Sequence, residues 1–541
     1  MNKRSVKRRS GDDDGSAIAM DRLSQLPQPI LHIILSLLSQ KDAIRTCVLS
    51  KSWRYLWHGR LNFELSDHEQ GFIRNKKVWS FIDKTLQRYL DQNFSLQKFK
   101  VDIYHQELDS VLLQKWIPVL IMNMGVRSFS LSFHRSSIVF PLPLVVFQSE
   151  SLVELHLQQC DLNIKSTDNV MLNNLQTLRL QEVKITDEIF EKIISSCPLV
   201  ENLDLLRCTG LKSIKLCKHH NIKDFGCSLY DERTIIEVEN IQILESVRIQ
   251  NCRNWFLCHR NTQFPHLKSL NLDSVKLPVK TFDNFSSFFP CLSELVLDSC
   301  HGLKEFRLFS PSIKRLTIKM NPRKRMKAFI DTPNILYFEY SDNDDGVLPS
   351  IKFKTTSNEW KSKIALWTKM LHRDNDATPW FLKLNKLLKA LSQSHITLRI
   401  TLYLIYKVSQ KLHINGSYGG LYKPVVVEHL KIRGCHSSYF DPTLLNGFFR
   451  ICRPRFIHMN LYGEFGAKCD FAEYNISKLL PDETGCYFGL QDLEEVSIEI
   501  RDMKAKEWHC VKGTSLPALR SQHKIRFRLT WKEQLSKFLL S

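Results

Sequence analysis

Two apolar rhythms divide the chain. Over residues 21–57 the apolar positions step by three and four: Ile30, Ile33, Ile34, Leu37 and Leu38, with Leu31 and Leu35 widening the stripe. This spacing predicts a helix opening at Pro29, whose fixed φ and missing donor suit a first helical turn. A second helix is predicted over 41–48, with Ala43, Ile44, Cys47 and Val48 on one side. A third is predicted from Ser50 as N-cap, carrying Trp53, Leu56 and Trp57. So short a segment cannot close a core around that much apolar surface, which is worth roughly 25 cal/mol per Å² when removed from water. A contiguous apolar face of this kind marks a protein–protein site.

The second rhythm is a repeat: apolar-x-x-apolar-x-apolar-x-x-Cys, Asn or apolar. Leu152, Leu155, Leu157 and Cys160 fit it, as do Leu175, Leu178, Leu180 and Val183, then Val200, Leu203, Leu205 and Cys208. It returns at Leu244-Val247-Ile249-Cys252, Leu267-Leu270-Leu272-Val275 and Leu292-Leu295-Leu297-Cys300, and more weakly at Ile313-Leu316-Ile318-Asn321 and Ile335-Phe338-Tyr340-Asn343. Starting positions advance by 21 to 25 residues except for one gap of 44, which a degenerate copy at Ile222, Phe225, Cys227 and Tyr230 fills. Leading copies stand at Leu96-Phe99-Val101 and Val126-Phe129-Leu131. Each unit reads as a short strand with a return segment, stable only when stacked.

The chain therefore divides into a charged tail (1–20), the helical segment (21–60), a helical linker (61–94, with Val78, Phe81, Ile82, Leu86, Tyr89 and Leu90 in helical spacing), the repeats (95–345), an irregular insertion (346–424) and degenerate C-terminal repeats (425–541). Within the insertion, 360–371 and 380–391 read as helices and 396–404 as a strand. Looser copies follow at Val427-Leu430-Ile432-Cys435, Phe456-Met459-Leu461 and Leu493-Val496-Ile498, with a last strand over 525–531.

The helical segment resembles the F-box of plant F-box proteins along its whole length. Leu26-Pro27, Ile34, Leu38, Lys41-Asp42-Ala43 and Val48-Leu49-Ser50-x-x-Trp53-Arg54 carry the likeness. Gln28-Pro29 and Ser39 depart from it, standing where the family usually has an acidic residue and a proline. The repeats resemble leucine-rich repeats. Together they identify an F-box/leucine-rich-repeat protein of α/β class, a three-helix F-box followed by a solenoid of horseshoe type. The resemblance implies docking on a Skp-type adaptor, and through it on a cullin, as the substrate-recognition subunit of an SCF-type ubiquitin ligase. At that interface it places Leu26, Pro27, Ile30, Leu31, Ile34, Leu38, Val48, Leu49 and Trp53. Many such proteins carry a further C-terminal domain, whose pattern is not evident here.

Strand side chains alternate, so the residue between the second and third apolar positions points away from the core. That lane reads His156, Arg179, Asp204, Gly226, Arg248, Asn271, Val296 and Thr317. Of these, His156, Arg179, Asp204, Arg248 and Asn271 are the expected substrate-binding residues, with the loops and the 346–424 insertion as rivals.

Composition adjusts this picture in three places. Of 541 residues, 43% are hydrophobic, and the net charge is +20, which favours acidic partners. A basic scaffold binding nucleic acid or an acidic protein is the alternative reading, although few aromatics interleave with the basic runs. Basic clusters at Lys3-Arg4, Lys7-Arg8-Arg9 and Arg323-Lys324-Arg325-Met326-Lys327 suit nuclear import, so nucleus or cytoplasm is expected. The 15 cysteines, odd in number, fit reduced thiols, several of them small hydrophobes closing a repeat. Cys252, Cys258 and His259 are the nearest approach to a metal set, and neither metal nor cofactor is expected. No apolar run long enough to span a bilayer occurs, nor do the Walker, Gly-x-Ser-x-Gly or His-Glu-x-x-His signatures of enzymes. Gly416-Ser-Tyr-Gly419-Gly420 reads as a turn. A non-catalytic adaptor subunit is the expected role, acting by holding a target near the ubiquitin donor.

Overall fold

The structure is a computed structural model, and it describes residues 26–38, 40–48, 53, 60–67, 78–104, 108–134, 139–216, 219–238, 241–256, 263–277, 282, 284–320, 326–342, 348–368, 378–402, 423–436, 443–462, 492–502, 507–511 and 523–532. The N-terminal basic cluster, Ser50, the glycine run at 416–420 and most of the Arg323–Lys327 cluster lie outside these. The chain forms two compact units, residues 1–200 and 201–541.

In the first unit, helices α1 (Gln28–Leu37) and α2 (Gln40–Arg45) are followed by strand β1 (Asn62–Ser66), helix α3 (Val78–Asp91) and strand β2 (Lys98–Ile103). Then come α4 (Ser110–Met122), β3 (Ser128–Phe133), β4 (Glu154–Gln158), β5 (Thr177–Gln181) and α5 (Asp187–Ser195). The five strands are parallel and share one register, in which Phe63, Phe99, Phe129, Leu155 and Leu178 stand side by side. So do Leu65, Val101, Leu131, Leu157 and Leu180. The rings of Phe63, Phe99 and Phe129 stack at 5.5 and 5.7 Å. The sheet thus starts one unit earlier than the spacing suggested. Part of the expected helical linker is a strand, because Phe63 and Leu65 supply the two inward positions of a full repeat.

The second unit continues the pattern through β6 (Asn202–Cys208), β7 (Asp224–Leu229), β8 (Ser246–Gln250), β9 (Ser269–Asp273), β10 (Glu294–Asp298), β11 (Arg315–Met320) and β12 (Tyr337–Asp342). The degenerate copy is a complete strand, β7. It buries Phe225, Cys227 and Leu229, while Tyr230, the expected fourth member, is exposed.

The register does not break at 346. Strand β13 (Lys361–Thr368) pairs parallel with β12, and β14 (His395–Leu402) pairs parallel with β13, the two separated in the chain by helix α6 (Thr378–Ala390). Within the expected helix over 360–371, Lys361–Thr368 is a strand instead: Ser362, Ile364 and Leu366 alternate into the core, and the flanking strands decide between two compatible periods. Strand β15 (Val425–His436), helix α7 (Thr443–Ile451) and strand β16 (Cys452–Tyr462) complete the parallel run. In β16 Ile457 stands opposite Leu430 and Met459 opposite Ile432, so the unit runs two residues earlier than the expected Phe456-Met459-Leu461. Beyond it, β17 (Leu493–Asp502), β18 (His509–Val511) and β19 (His523–Trp531) turn antiparallel, so the copy expected at Leu493 is not a further repeat.

A left-handed residue closes six of the units. Gln159, Glu182, Arg207, Asn251, Ser274 and Ser299 have φ between 53° and 58°. Each precedes the buried Cys160, Val183, Cys208, Cys252, Val275 or Cys300. Inverting φ there sends one more N–H to the next strand, as from Asn251 to the Asp273 carbonyl at 2.8 Å, and turns the following side chain under the sheet. Burial pushes the Cys160 and Cys300 thiols up to about 12. Native chain at pH 8 is therefore expected to leave Cys160, Cys197, Cys208, Cys227, Cys252, Cys300 and Cys452 unalkylated by iodoacetamide, while Cys291 and Cys510 react. Peptide mass spectrometry before and after unfolding checks this.

Strands β15 and β16 set His429 and His458 in contact, Nδ1 to Nε2 at 3.2 Å, with the tautomer deciding which ring donates. Burial first, then His429, Lys431 and Arg526, hold His458 down to about 3, against 6.5 for an ordinary histidine. His429 is lowered too, by burial, Lys431 and Arg526, opposed by Glu428. Both rings are neutral at pH 7. On acidification below about 6.5 the unfolded chain binds a proton that the folded chain refuses, so stability present above that pH is lost progressively toward 3. Urea midpoints of the full chain should fall between pH 7 and 5, and H458N should flatten that acid limb.

Candidate functional site

Two kinds of surface answer to the expected roles, a helical stripe in the first unit and an outward sheet face that each unit presents. In the first, Leu31 and Leu35, one turn apart on α1, close with Ala43 and Trp53 into a small core of their own. Leu26, Ile34 and Leu38 pack partly buried against it. The opposite stripe of α1 is left outside: Ile33 is 60% and Leu37 81% exposed, and Val48 at the end of the turn after α2 is 87% exposed. Ile30 is also exposed.

This sorts the residues expected to meet an adaptor. Pro27, Ile30 and Val48 are on the surface. Leu31 and Trp53 are interior and cannot form the contact directly; their role is to hold the outer stripe in place. Leu49 lies outside the described residues. Ile33 and Leu37, which the family pattern did not pick out, are the most prominent apolar groups of α1 itself, and the three- and four-residue step already contained them.

Arg60 ties this segment to the first repeat. Its side chain is 1% exposed, and its Nη2 donates to the Leu38 carbonyl at 2.6 Å, satisfying an orphan acceptor at the end of α1. Asn62 Nδ2 reaches the Ser36 carbonyl at 3.4 Å, and Tyr89 on α3 donates to the Arg60 carbonyl at 2.8 Å. Burial lowers the Arg60 pKa, opposed by the nearby Tyr89 and Glu64.

The second surface is the sheet face away from the core. In the first unit Ser130, His156 and Arg179 are register neighbours, and Ser130 Oγ lies 3.4 Å from His156 Nδ1. In the second unit the lane runs Asp204, Gly226, Arg248, Asn271, Val296, Thr317, Glu339, Lys363. Arg248 Nη2 crosses over Gly226 to reach Asp204 Oδ1 at 3.0 Å. A Cβ at position 226 would lie 2.0 Å from that carboxylate oxygen, so the pair needs the glycine. Beside it Gly226, Arg248, Gln250, Asn271 and Asp273 line a hollow of about 160 Å³. That is small against the roughly 300–1,000 Å³ of small-molecule sites, and suits one protruding side chain.

Along this face the named polar groups mostly satisfy one another. Gln250 Nε2 donates to Asp273 at 2.8 Å, and Lys319 Nζ to Asp298 at 2.8 Å. Lys363 Nζ lies 2.6 Å from Glu339, which also accepts from the Tyr337 hydroxyl at 2.7 Å. Of the residues farther on, Lys363 and Arg399 belong to the stretch read as irregular, whereas Glu339, Lys431 and Arg433 fall in copies that the spacing did find, beyond the point, Thr317, to which the lane was read. Among the described residues no group of three or more His, Cys, Asp or Glu is arranged to hold a metal. No described helix is long and apolar enough to cross a membrane.

The chain matches two known domain families. Residues 23–64 match the F-box domain, and residues 86–321 match the leucine-rich-repeat domain of the At1g61320/AtMIF1 type. The chain is similar to the Arabidopsis thaliana F-box/LRR-repeat protein At3g59200, 33% identical over 211 residues that make up 37% of this chain and 39% of the relative. It is 34% identical to the F-box/FBD/LRR-repeat protein At5g56420 of the same plant over 197 residues, 35% of this chain and 44% of the relative. It is 29% identical to F-box protein At1g60400, also from Arabidopsis thaliana, over 241 residues, 42% of this chain and 58% of the relative. The chain thus spans about half the length of the curated relatives it matches.

Proposed function

Since the chain is a plant F-box/leucine-rich-repeat protein, we propose that it is a substrate-recognition subunit of an SCF-type ubiquitin ligase. The F-box docks on a Skp-type adaptor, and the outer sheet face of the repeats holds a target protein. The observation that carries this reading is the stripe Ile30, Ile33 and Leu37, turned outward from a helix whose other face has its own core. An exposed stripe backed by a separate core suits a surface that another subunit covers. The chain itself needs no catalytic group in this role, because a target held beside a charged ubiquitin-conjugating enzyme reacts by proximity.

Purification of the full chain with a Skp-type adaptor over a salt series tests the reading. Binding by apolar burial persists as salt rises, whereas binding by the net charge of +20 to a polyanion falls steeply. A complex lost between about 50 and 200 mM salt, or none at low salt, would favour the basic-scaffold alternative. The basic clusters suit nuclear import, so the proposal extends to nucleus as well as cytoplasm, which imaging of a fluorescent fusion checks.

A further inference from the structure

The outer face of β13 to β15 carries charge that its own surroundings leave uncompensated. Arg399 on β14 stands directly opposite Lys431 on β15, and Arg433 follows two residues along, beside Thr401. Neighbouring strands lie about 4.8 Å apart, and like charges directly opposite one another destabilise a sheet. Among the described residues none of the three has a carboxylate in ion-pair reach. The acid nearest in the lane, Glu339, is already held by Lys363 and Tyr337. Arg399 and Lys431 are half-buried, and the Arg399 Nε is shut off from water without a hydrogen-bond partner. Burial together with the mutual repulsion lowers both pKa values.

On the same face Trp367 of β13 is 43% exposed, in register with Thr401 and, through it, with Arg433. A large apolar surface beside the unpaired cations asks for a partner that brings both an anion and an apolar group, which a free ion does not.

We propose that this face binds a phosphorylated, extended segment of the recruited protein, its phosphate seated among Arg399, Lys431 and Arg433 and an apolar neighbour lying on Trp367. A phosphoryl group suits the place better than a carboxylate. It brings close to two negative charges and three acceptor oxygens, and it matches the planar fork of arginine. The assignment deepens the target-holding role given to the repeats and rests on it.

Two measurements on the full chain co-purified with its adaptor decide the matter. In phosphate-free buffer, K431Q should raise the thermal midpoint, since it removes an uncompensated charge. Inorganic phosphate should raise the midpoint of the unaltered protein and not that of an R399Q/R433Q double variant. A degenerate phosphoserine peptide pool should bind about tenfold tighter than its unphosphorylated twin, a preference lost in R399Q/R433Q. W367A should weaken the peptides while leaving the phosphate-induced shift intact. A fall in midpoint for K431Q overturns the proposal, as does equal binding of the two pools. Stabilisation by inorganic phosphate without peptide preference would assign the site to a free anion and overturn the protein-segment reading. Adaptor retention, scored in a separate pulldown of each variant chain purified alone, reports independently on the ligase role, because its expected residues lie between Leu26 and Trp53.

Discussion

Replacing Ile33 and Leu37 together by Asp is expected to abolish co-purification with a Skp-type adaptor and to leave the thermal midpoint of the chain within about 1 °C, the order expected of exposed positions whose substitutions cost about 0.5 kcal/mol or less. Both side chains are largely in water and neither belongs to the cluster of Leu31, Leu35, Ala43 and Trp53. Their loss therefore removes only what a partner would cover. Two carboxylates buried unpaired in an apolar interface cost several kcal/mol, or more than a thousandfold in affinity. Trp53→Ala would also lose the adaptor, for a different reason. The ring is 2% exposed at the centre of that small cluster, and truncation costs about 3–5 kcal/mol, enough to unfold so small a module. Circular dichroism and co-purification measured on both variants separate a lost surface from a lost fold. Retention of the adaptor by the I33D/L37D protein would remove the basis for the proposed role.

Arg60→Ala is expected to destabilise the first unit by about 3 kcal/mol and to separate F-box melting from that of the repeats. The guanidinium is interior, where removal opens a cavity and strips the Leu38 carbonyl of its donor. Arg60→Met keeps most of the aliphatic stem and loses mainly the hydrogen bond, so its cost should be nearer about 1–2 kcal/mol. The buried charge that methionine also removes carries a desolvation cost of its own, visible in the lowered Arg60 pKa, which keeps the second figure small. Calorimetry reads this out as one transition or two. Equal effects of the two substitutions would mean that the tie to α1, and not packing, carries the contribution, whereas a near-neutral Arg60→Met would mean the reverse.

The repeat was legible where two conditions coincided: a strand bounded by turns, and inward residues of one chemical kind. Leu155-x-Leu157 and Leu178-x-Leu180 meet both, and their pairing followed from spacing alone. Phe63-x-Leu65 meets the second within a five-residue strand, and the helical spacing of Val78 to Leu90 obscured it. Residues 360–371 satisfy two periods at once, since Trp360, Ile364, Trp367 and Leu371 step as a helix while Ser362, Ile364 and Leu366 alternate. The neighbouring strands, invisible to a local pattern, settled which period wins. On α1 the difficulty was the reverse. The helix is apolar nearly all round, so periodicity marks no preferred inner face, and only Ala43 and Trp53, closing over Leu31 and Leu35, define one. Both strands that carry the cations at 399, 431 and 433 were legible, over 396–404 and at 427–435, but their mutual register was not, and without it residues about thirty positions apart have no reason to be compared.

The six left-handed turns have a consequence for how such a surface can diverge. Gln, Glu, Arg, Asn and Ser all occupy that position with nearly the same φ, and none of the six is glycine. A buried residue follows each, and at Gln159, Asn251, Ser274 and Ser299 the N–H bonds to the adjoining strand, so the backbone, more than the identity of the side chain, is what the position fixes. Duplicated genes could exchange polar groups along this row, altering what the rim of each repeat offers a visitor, with the scaffold beneath passing unchanged from copy to copy.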